Sequence, residues 1–508
     1  MSLFLISPLV MLEPSHTSFP LEETNTIIPI FILGLLLLDH SRFTQKLIKP
    51  LSAMDIIMFS PSNSREILCF LFPNLKVLAA IALFLAIFMY LSLNSERVYL
   101  VDFLCYKAPE THRVPISSFI EHEEILGEFN SETVEFQSKV LERSGLGHES
   151  YFPSGIHLIP TDHSLKSTLE EVEMVLFTIV QNLFAKHRID PKSIDILITN
   201  CSLSCPTPSL ASMVINKFGF RSNVMSFNLS GMGCSCGLLS ISLTRDLLKV
   251  HNNVLALVLS TESICSNMYH GKVKSMLLAN CLFRMGGAAI LLSNRKCDRQ
   301  LAKYELKHLI RTHLGSKDTS YKCVVQQPDD EGFIGVSLSR SILQVASEGL
   351  KTNMAALAAL VLPYSELIKY GLSVMWKIIW PPAKRRGPYI PNFKKVFDHF
   401  CVHAGGKTVI DAIKESLKLK NRDIEGSKMT LFRFGNTSSS SIWYTLAYLE
   451  AKGRVRKGEN VWQLALGSGF KCNSAVWKCI SKMKPDVSNV WMDRIHRYPV
   501  EVPDVIDH

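Results

Sequence analysis

From about residue 95 onward, short runs of unbroken apolar residues alternate with amphipathic stretches. No other feature of this 508-residue chain constrains its fold as much. "SIDILITN" (193–200), "VLALVLSTES" (254–263) and "GGAAILLSN" (286–294) have strand length, and apolar residues recur at helical spacing between them. A strand without polar alternation must be covered on both faces, so the pattern predicts an α/β fold with helices on both sides of a sheet. A second series follows, with "YELKHLIRTH" (304–313), "KMTLFRFG" (428–435) and "NVWQLALGSGF" (460–470) as expected strands. Hydrophobic residues make up 47% of the chain and charged residues 20%, enough to bury a sizeable core.

The first 95 residues differ in character. "TIIPIFILGLLLL" (26–38) is short for a membrane span and reads either as a span or as a buried or interfacial helix. "VLAAIALFLAIFMYLSL" (77–93) reaches the lower limit of a span and reads as one. No basic segment precedes the first run and no small-residue cleavage site follows it, so a cleaved signal peptide does not fit. Residues 1–95 are therefore expected to anchor the chain through one or two transmembrane helices. Between 354 and 386 a further apolar stretch is broken by Pro363, interrupted by Glu366 and Lys369, and ends in Lys384, Arg385 and Arg386. It is too polar for a span and reads as a membrane-surface helix or tunnel wall, or as core helices; "KRRGPYIPNFKK" itself reads as a solvated turn.

Thirteen cysteines, an odd number scattered over the chain, resemble no secreted disulfide framework and point to a reducing compartment. The net charge of +10 comes without a dense Lys/Arg block or an aromatic-basic motif, so nucleic acid is not an expected partner. Two cysteines stand out in "NLSGMGCSCGLLSISLTRDLLK" (228–249), where three glycines precede or flank an amphipathic run. Gly231 and Gly233 allow a sharp turn, and the helix that follows starts near Cys234. Free N–H groups and the positive dipole end there would favour thiolate; alternatively both cysteines are small core residues. "FDHFCVHAGGKTVIDAI" (397–413) supplies His399 and His403, then Gly405 and Gly406, without the glutamate of a zinc helix, so no metal is expected. "RFGNTSSSSIWYTL" (433–446) sets Asn436 before a helix start, and "GSGFKCNSAVW" (467–477) closes a strand with a turn whose N–H groups could face a ligand.

An activatable Cys, a His before Gly-Gly and an Asn at a helix start, in that order, bring out a resemblance to the plant-type 3-ketoacyl-CoA synthases. It runs from "VYLVDFLCYK" (98–107) to the end, through "ERSGLG", "NCSLSCPTPSLASMVINK", "NLSGMGCSCG", "SMLLANCLFRMGGAAILLSN", "DEGFIGVSLS", "HFCVHAGGKTVID", "RFGNTSSSSIWY" and "GSGFKCNSAVW". The resemblance implies a thiolase-like duplicated αβαβα fold, with one half over 96–300, the second over 301–490, and a tail at 491–508. It implies Cys234 as acyl-accepting nucleophile, His403 and Asn436 as catalytic partners, and His313 and His399 in supporting roles. The turn holding Gly467 and Gly469 is a candidate for backbone oxyanion donors.

The implied reaction condenses a long-chain acyl-CoA with malonyl-CoA and needs no cofactor. Implied partners are elongase reductase and dehydratase subunits, the membrane and a second copy in a homodimer. The implied location is the endoplasmic reticulum membrane with the catalytic part facing the cytosol. Arg42, Lys46, Lys49 and Arg65 between the apolar runs argue for the reverse orientation by the positive-inside rule. The sequons at Asn200, Asn228 and Asn436 argue for the cytosol, because two of them sit inside the catalytic motifs.

The chain departs from the family pattern at Phe432, where members carry His, and at Cys236, Ala279 and Lys407, where they carry Ala, Pro and Arg. Phe432 is expected to slow the chemistry by removing a donor near Asn436. A weakly active scaffold of the elongase complex, or another thiolase-fold condensing enzyme such as a polyketide synthase, stands as the alternative.

Overall fold

The computed structural model describes residues 97–379 and 389–502, together with Leu83. The runs at 26–38 and 77–93, and the basic residues 384–386, lie outside the described residues. By its contacts the chain divides into Met1–Ser95 and Glu96–His508, and everything below concerns the second unit. No helix among the described residues is long and apolar enough to cross a membrane.

The unit opens with β1 (Tyr99–Cys105), α1 (Ile116–Leu126), α2 (Ser131–Arg143) and α3 (Leu165–His187). Then come β2 (Ile196–Asn200), α4 (Leu210–Phe218), β3 (Met225–Leu229), α5 (Cys236–Val250), β4 (Leu255–Thr261), α6 (Lys274–Leu282) and β5 (Gly287–Ser293). The second stretch runs β6 (Tyr304–His313), α7 (Asp318–Tyr321), β7 (Val324–Pro328), β8 (Ile334–Leu338), α8 (Ile342–Val361) and α9 (Tyr364–Ile379). It ends with β9 (His399–Val402), α10 (Lys407–Leu417), α11 (Asn421–Phe434), α12 (Ser441–Ala451), β10 (Asn460–Gly467) and β11 (Lys471–Cys479).

Nine strands form one sheet in the order β3-β2-β4-β5-β1-β6-β11-β10-β9. The duplication is written in its directions. β2 runs parallel to β4, which pairs antiparallel with β5, which pairs antiparallel with β1. β9, β10, β11 and β6 repeat that sequence of directions. The halves join where Tyr99 and Leu100 pair with Glu305 and Tyr304. Strands β1, β4 and β5 are buried along their whole length, as their unbroken apolar character requires. α5 packs on β2 and β4 of the first half and on β10 and β11 of the second, while α12 packs on β9, β10 and β1. These two helices lie between the halves, and both start at the candidate site.

One expected strand is a helix. Residues 428–434 fall in α11, with Gly435 as its C-cap, so the second half has no counterpart of β3. α11 buries Ile424, Met429, Leu431 and Phe434 together with Ser427, Thr430 and Arg433, while Asn421, Arg422, Glu425 and Lys428 lie on its more open side. Periodicity alone does not separate such a helix from a buried strand. The stretch from 354 divides at Pro363 into the end of α8, which buries Leu350, Asn353 and Leu357, and α9.

Candidate active site

β3 leads into a turn in which Gly231 and Gly233 take φ values of 68° and 69°, a left-handed conformation that favours glycine. A side chain at Gly233 would also collide with Ser468 of the 468–470 turn. The Cys236 N–H donates to the Gly233 carbonyl at 2.9 Å, closing the turn and starting α5. Cys234, two residues before that start, lines a cavity of about 260 Å³ with Gly233, Glu262, Ser438, Ser468 and Gly469 among its walls. Cys236 is 1% exposed in the core and does not reach the cavity.

The expected thiolate preference at this position is not what the structure gives. Burial, with a smaller contribution from the charge of Glu262, pushes the Cys234 thiol up to about 12, and a hydrogen bond with Ser438 offsets only part of this. A helix dipole is worth roughly 1 kcal/mol, less than one pKa unit, and loses to burial of this size. Alkylation of Cys234 by iodoacetamide should therefore rise about tenfold per pH unit between pH 7 and 10, because the thiolate reacts and its fraction is still climbing. A plateau near pH 8 in mass-spectrometric labelling rates would show a thiol of lower pKa.

Glu262 follows the apolar strand β4 directly and is buried. Its Oε1 accepts from the Ser202 and Leu203 N–H groups at 3.0 and 2.9 Å and from the Cys201 thiol at 3.2 Å. Its Oε2 accepts from the Ser438 hydroxyl at 2.8 Å. The carboxyl thus braces the floor under Cys234 from three sides. Burial raises its pKa, and these four donors pull the other way.

His403 follows β9, its N–H continuing the ladder to the Leu464 carbonyl at 2.9 Å. The ring is 4% exposed, and burial pushes its pKa down to about 4, so the imidazole is neutral at pH 7. Nδ1 lies 2.6 Å from the Ser441 hydroxyl oxygen, which accepts from the Ala404 N–H at 3.4 Å. With the serine proton directed at Nδ1, the imidazole proton sits on Nε2, the tautomer that leaves Nε2 free to donate. Gly405 leaves room for that edge: a β-carbon there would sit 3.0 Å from Nε2.

Asn436 sits beyond α11, with its N–H and carbonyl engaged by Leu282 and Arg284 at 3.0 Å each. Its Oδ1 accepts from the Ser438 N–H at 2.9 Å, which fixes the amide, and Nδ2 donates to the Gly405 carbonyl at 3.3 Å. One short segment therefore joins the three predicted residues. Asn436 meets the His403 loop at Gly405, Ser438 bonds Cys234 and Glu262, Ser439 bonds Asn200 at 2.7 Å, and Ser441 holds His403.

The remaining expected positions separate. Gly469 lines the cavity, whereas Gly467 lies in β10, where a β-carbon would collide with Ser235. His313 ends β6, its Nδ1 accepting from the Gly315 N–H at 3.0 Å and its ring beside the 468–470 turn. His399 pairs with Glu459 at 2.9 Å at the opposite end of β9, about 13 Å from His403 at the rise of a strand. Asn200 is 1% exposed and spends its amide protons on Ser240, Ser260 and Leu259.

Phe432 requires a correction. Its ring packs against Gly147 and lies 6.5 Å from the Tyr498 ring; like His403 and Asn436, it is not among the residues that line the cavity at Cys234. Any β-carbon at Gly147 would strike this ring, so Phe432 fills the position as a packing contact. Phe432→His should accordingly leave condensation within about twofold of wild type while lowering thermal stability. A turnover gain above tenfold would restore a chemical role to this position.

Glu262, Ser438 and Ser441 were not singled out in the sequence. A carboxylate immediately after a largely apolar strand was the available signal for Glu262, since an unpartnered buried charge is costly. The serines are hidden in a run of four alike residues.

A family model described as FAE1/Type III polyketide synthase-like protein matches residues 90–379. A second, for the C-terminal part of 3-oxoacyl-[acyl-carrier-protein] synthase III, matches residues 394–479. Among solved structures, 1,3,6,8-tetrahydroxynaphthalene synthase of Streptomyces coelicolor, a type III polyketide synthase, superposes with a TM-score of 0.58. It shares 17% identity and covers 75% of this chain and 99% of its own. Fold and matched models together define a thiolase-like condensing enzyme.

The 3-ketoacyl-CoA synthase 7 of Arabidopsis thaliana is 56% identical over 79% of this chain and 87% of its own length. The 3-ketoacyl-CoA synthase 5 of the same plant is 50% identical over 89% and 92%. The chain belongs to the 3-ketoacyl-CoA synthase family.

Proposed function

We propose that this chain condenses a long-chain acyl-CoA with malonyl-CoA to a 3-oxoacyl-CoA two carbons longer, releasing CO₂ and CoA, as the first step of very-long-chain fatty acid elongation. Cys234 attacks the acyl thioester, and its thiol proton ends on the departing CoA sulfur. A thiol serves both as nucleophile and as leaving group in the next step, which a serine would do poorly. Malonyl-CoA then loses CO₂. The charge that develops on its thioester oxygen is met by two donors, His403 Nε2–H and Asn436 Nδ2–H. The enolate carbon attacks acyl-Cys234, freeing the sulfur. The Cys234 N–H and the turn at Gly469 serve the tetrahedral intermediate.

The observation that carries this reading is the 436–441 segment, which holds the amide, the hydroxyl beside the thiol and the Nδ1 edge of the imidazole within six residues. The carbon–carbon bond is driven by decarboxylation and involves no net redox change, so no metal or redox cofactor is called for. The apolar runs before residue 95 and the free cysteines support an anchor in the endoplasmic reticulum membrane with this unit in the cytosol. A homodimer working beside reductase and dehydratase subunits completes the proposal.

Expression in a host without plant elongases should produce new very-long-chain acids in its acyl profile. Their absence with good expression would overturn the enzymatic reading in favour of the scaffold.

A further inference from the structure

The face of α9 inverts the usual polarity of a surface helix. At 100° per residue, Tyr364, Ile368, Leu372, Met375, Trp376 and Ile379 fall within an arc of about 120° along a helix roughly 24 Å long. All six point outward, with exposures between 51% and 76%. The polar group of this helix faces the protein instead. The Glu366 carboxylate is fully buried and accepts from the Tyr389 hydroxyl at 2.7 Å, the Asn392 N–H at 3.0 Å and Lys395 Nζ at 2.6 Å. Ser373 likewise accepts from the Tyr389 N–H at 3.1 Å, and Leu367 packs on the core. A water-facing helix would be patterned the other way round.

The charges bordering this stripe indicate what covers it. The only acidic side chain of α9 is the inward Glu366, which Lys369 and Lys395, 55% and 44% exposed, bridge at 3.6 and 2.6 Å, so two cations share one carboxylate and the border keeps a net positive charge. In sequence the helix is followed by Lys384, Arg385 and Arg386. A second copy docked face to face would set two net-positive borders against each other, with no carboxylate beyond the already shared Glu366 to offset them. An anionic bilayer surface satisfies both features, taking the apolar and aromatic side chains below the headgroups and the lysines among them.

We propose that α9 lies flat in the headgroup region of an anionic membrane leaflet, as a contact made by the catalytic unit itself. This does not depend on the reaction assigned to the site.

Four of the six tryptophans, Trp443, Trp462, Trp477 and Trp491, are buried in the core, so lipid-borne quenchers leave them bright. The experiment uses the full chain in vesicles of phosphatidylcholine and phosphatidylserine with brominated acyl chains. Wild-type tryptophan emission should be quenched by about the share of one tryptophan more than in Trp376→Phe. Leu372→Glu combined with Met375→Glu should reduce quenching similarly while near-ultraviolet circular dichroism stays native. Equal quenching of wild type and Trp376→Phe would overturn the proposal. So would cross-linking of Leu372→Cys between copies without any bromine effect, which would make the face a self-association surface.

Discussion

Replacing Cys234 by alanine is expected to abolish condensation, with a fall on the order of 10⁴ or more in turnover, the scale seen when a nucleophile that works as part of a unit is removed. No other thiol among the described residues lines the cavity, and the remaining cysteines are held elsewhere. Cys236→Ala should be nearly silent, because its side chain is packed in the core and alanine is a modest truncation there. Mass spectrometry of the trapped acyl-enzyme should place the acyl group on Cys234. An acyl group on Cys236, or activity surviving in Cys234→Ala, would overturn the assignment.

Removing one donor from the malonyl side should be the next largest effect. His403→Ala and Asn436→Ala are each expected to cost 10²–10³ in condensation, roughly the value of one donor at a developing oxyanion. Single-turnover acylation of Cys234 should change far less, since neither side chain bonds the cysteine. Ser441→Ala should cost less than His403→Ala, because the ring remains but loses the hydroxyl that assigns its proton to Nε2, and Ser441→Thr should restore most of the loss. Malonyl-CoA decarboxylation and acylation, measured separately, decide the matter. Equal losses in both steps would mean that His403 serves the nucleophile instead.

The strands that carry the site were legible because they are buried on both faces and so lack polar alternation, as β2, β4, β5 and β10 show. α11 was not, because Lys428, Met429, Thr430 and Leu431 alternate polar and apolar as a strand would, although the segment is helical. Cys234, His403 and Asn436 stood out through their glycine-rich or helix-start settings. Glu262 and Ser441 act through partners more than 30 residues away in sequence, and such pairing leaves no local pattern. The thiol pKa could not be read locally either, since burial and Glu262, both products of the tertiary fold, set it.

The 436–441 segment has a consequence for how the enzyme comes into being. The nucleophile, its turn and the carboxylate beneath it are all translated by residue 262. The groups for the malonyl end and the hydroxyl beside the thiol arrive later, His403 141 residues after Glu262 and Ser438 176 residues after it, from the other half of the sheet. A nascent chain carrying only the first half holds a thiol without its chemistry. Capacity to condense switches on only once synthesis has passed Ser441 and the late segment has docked on the early one, so unfinished chains at the ribosome cannot form the new carbon–carbon bond.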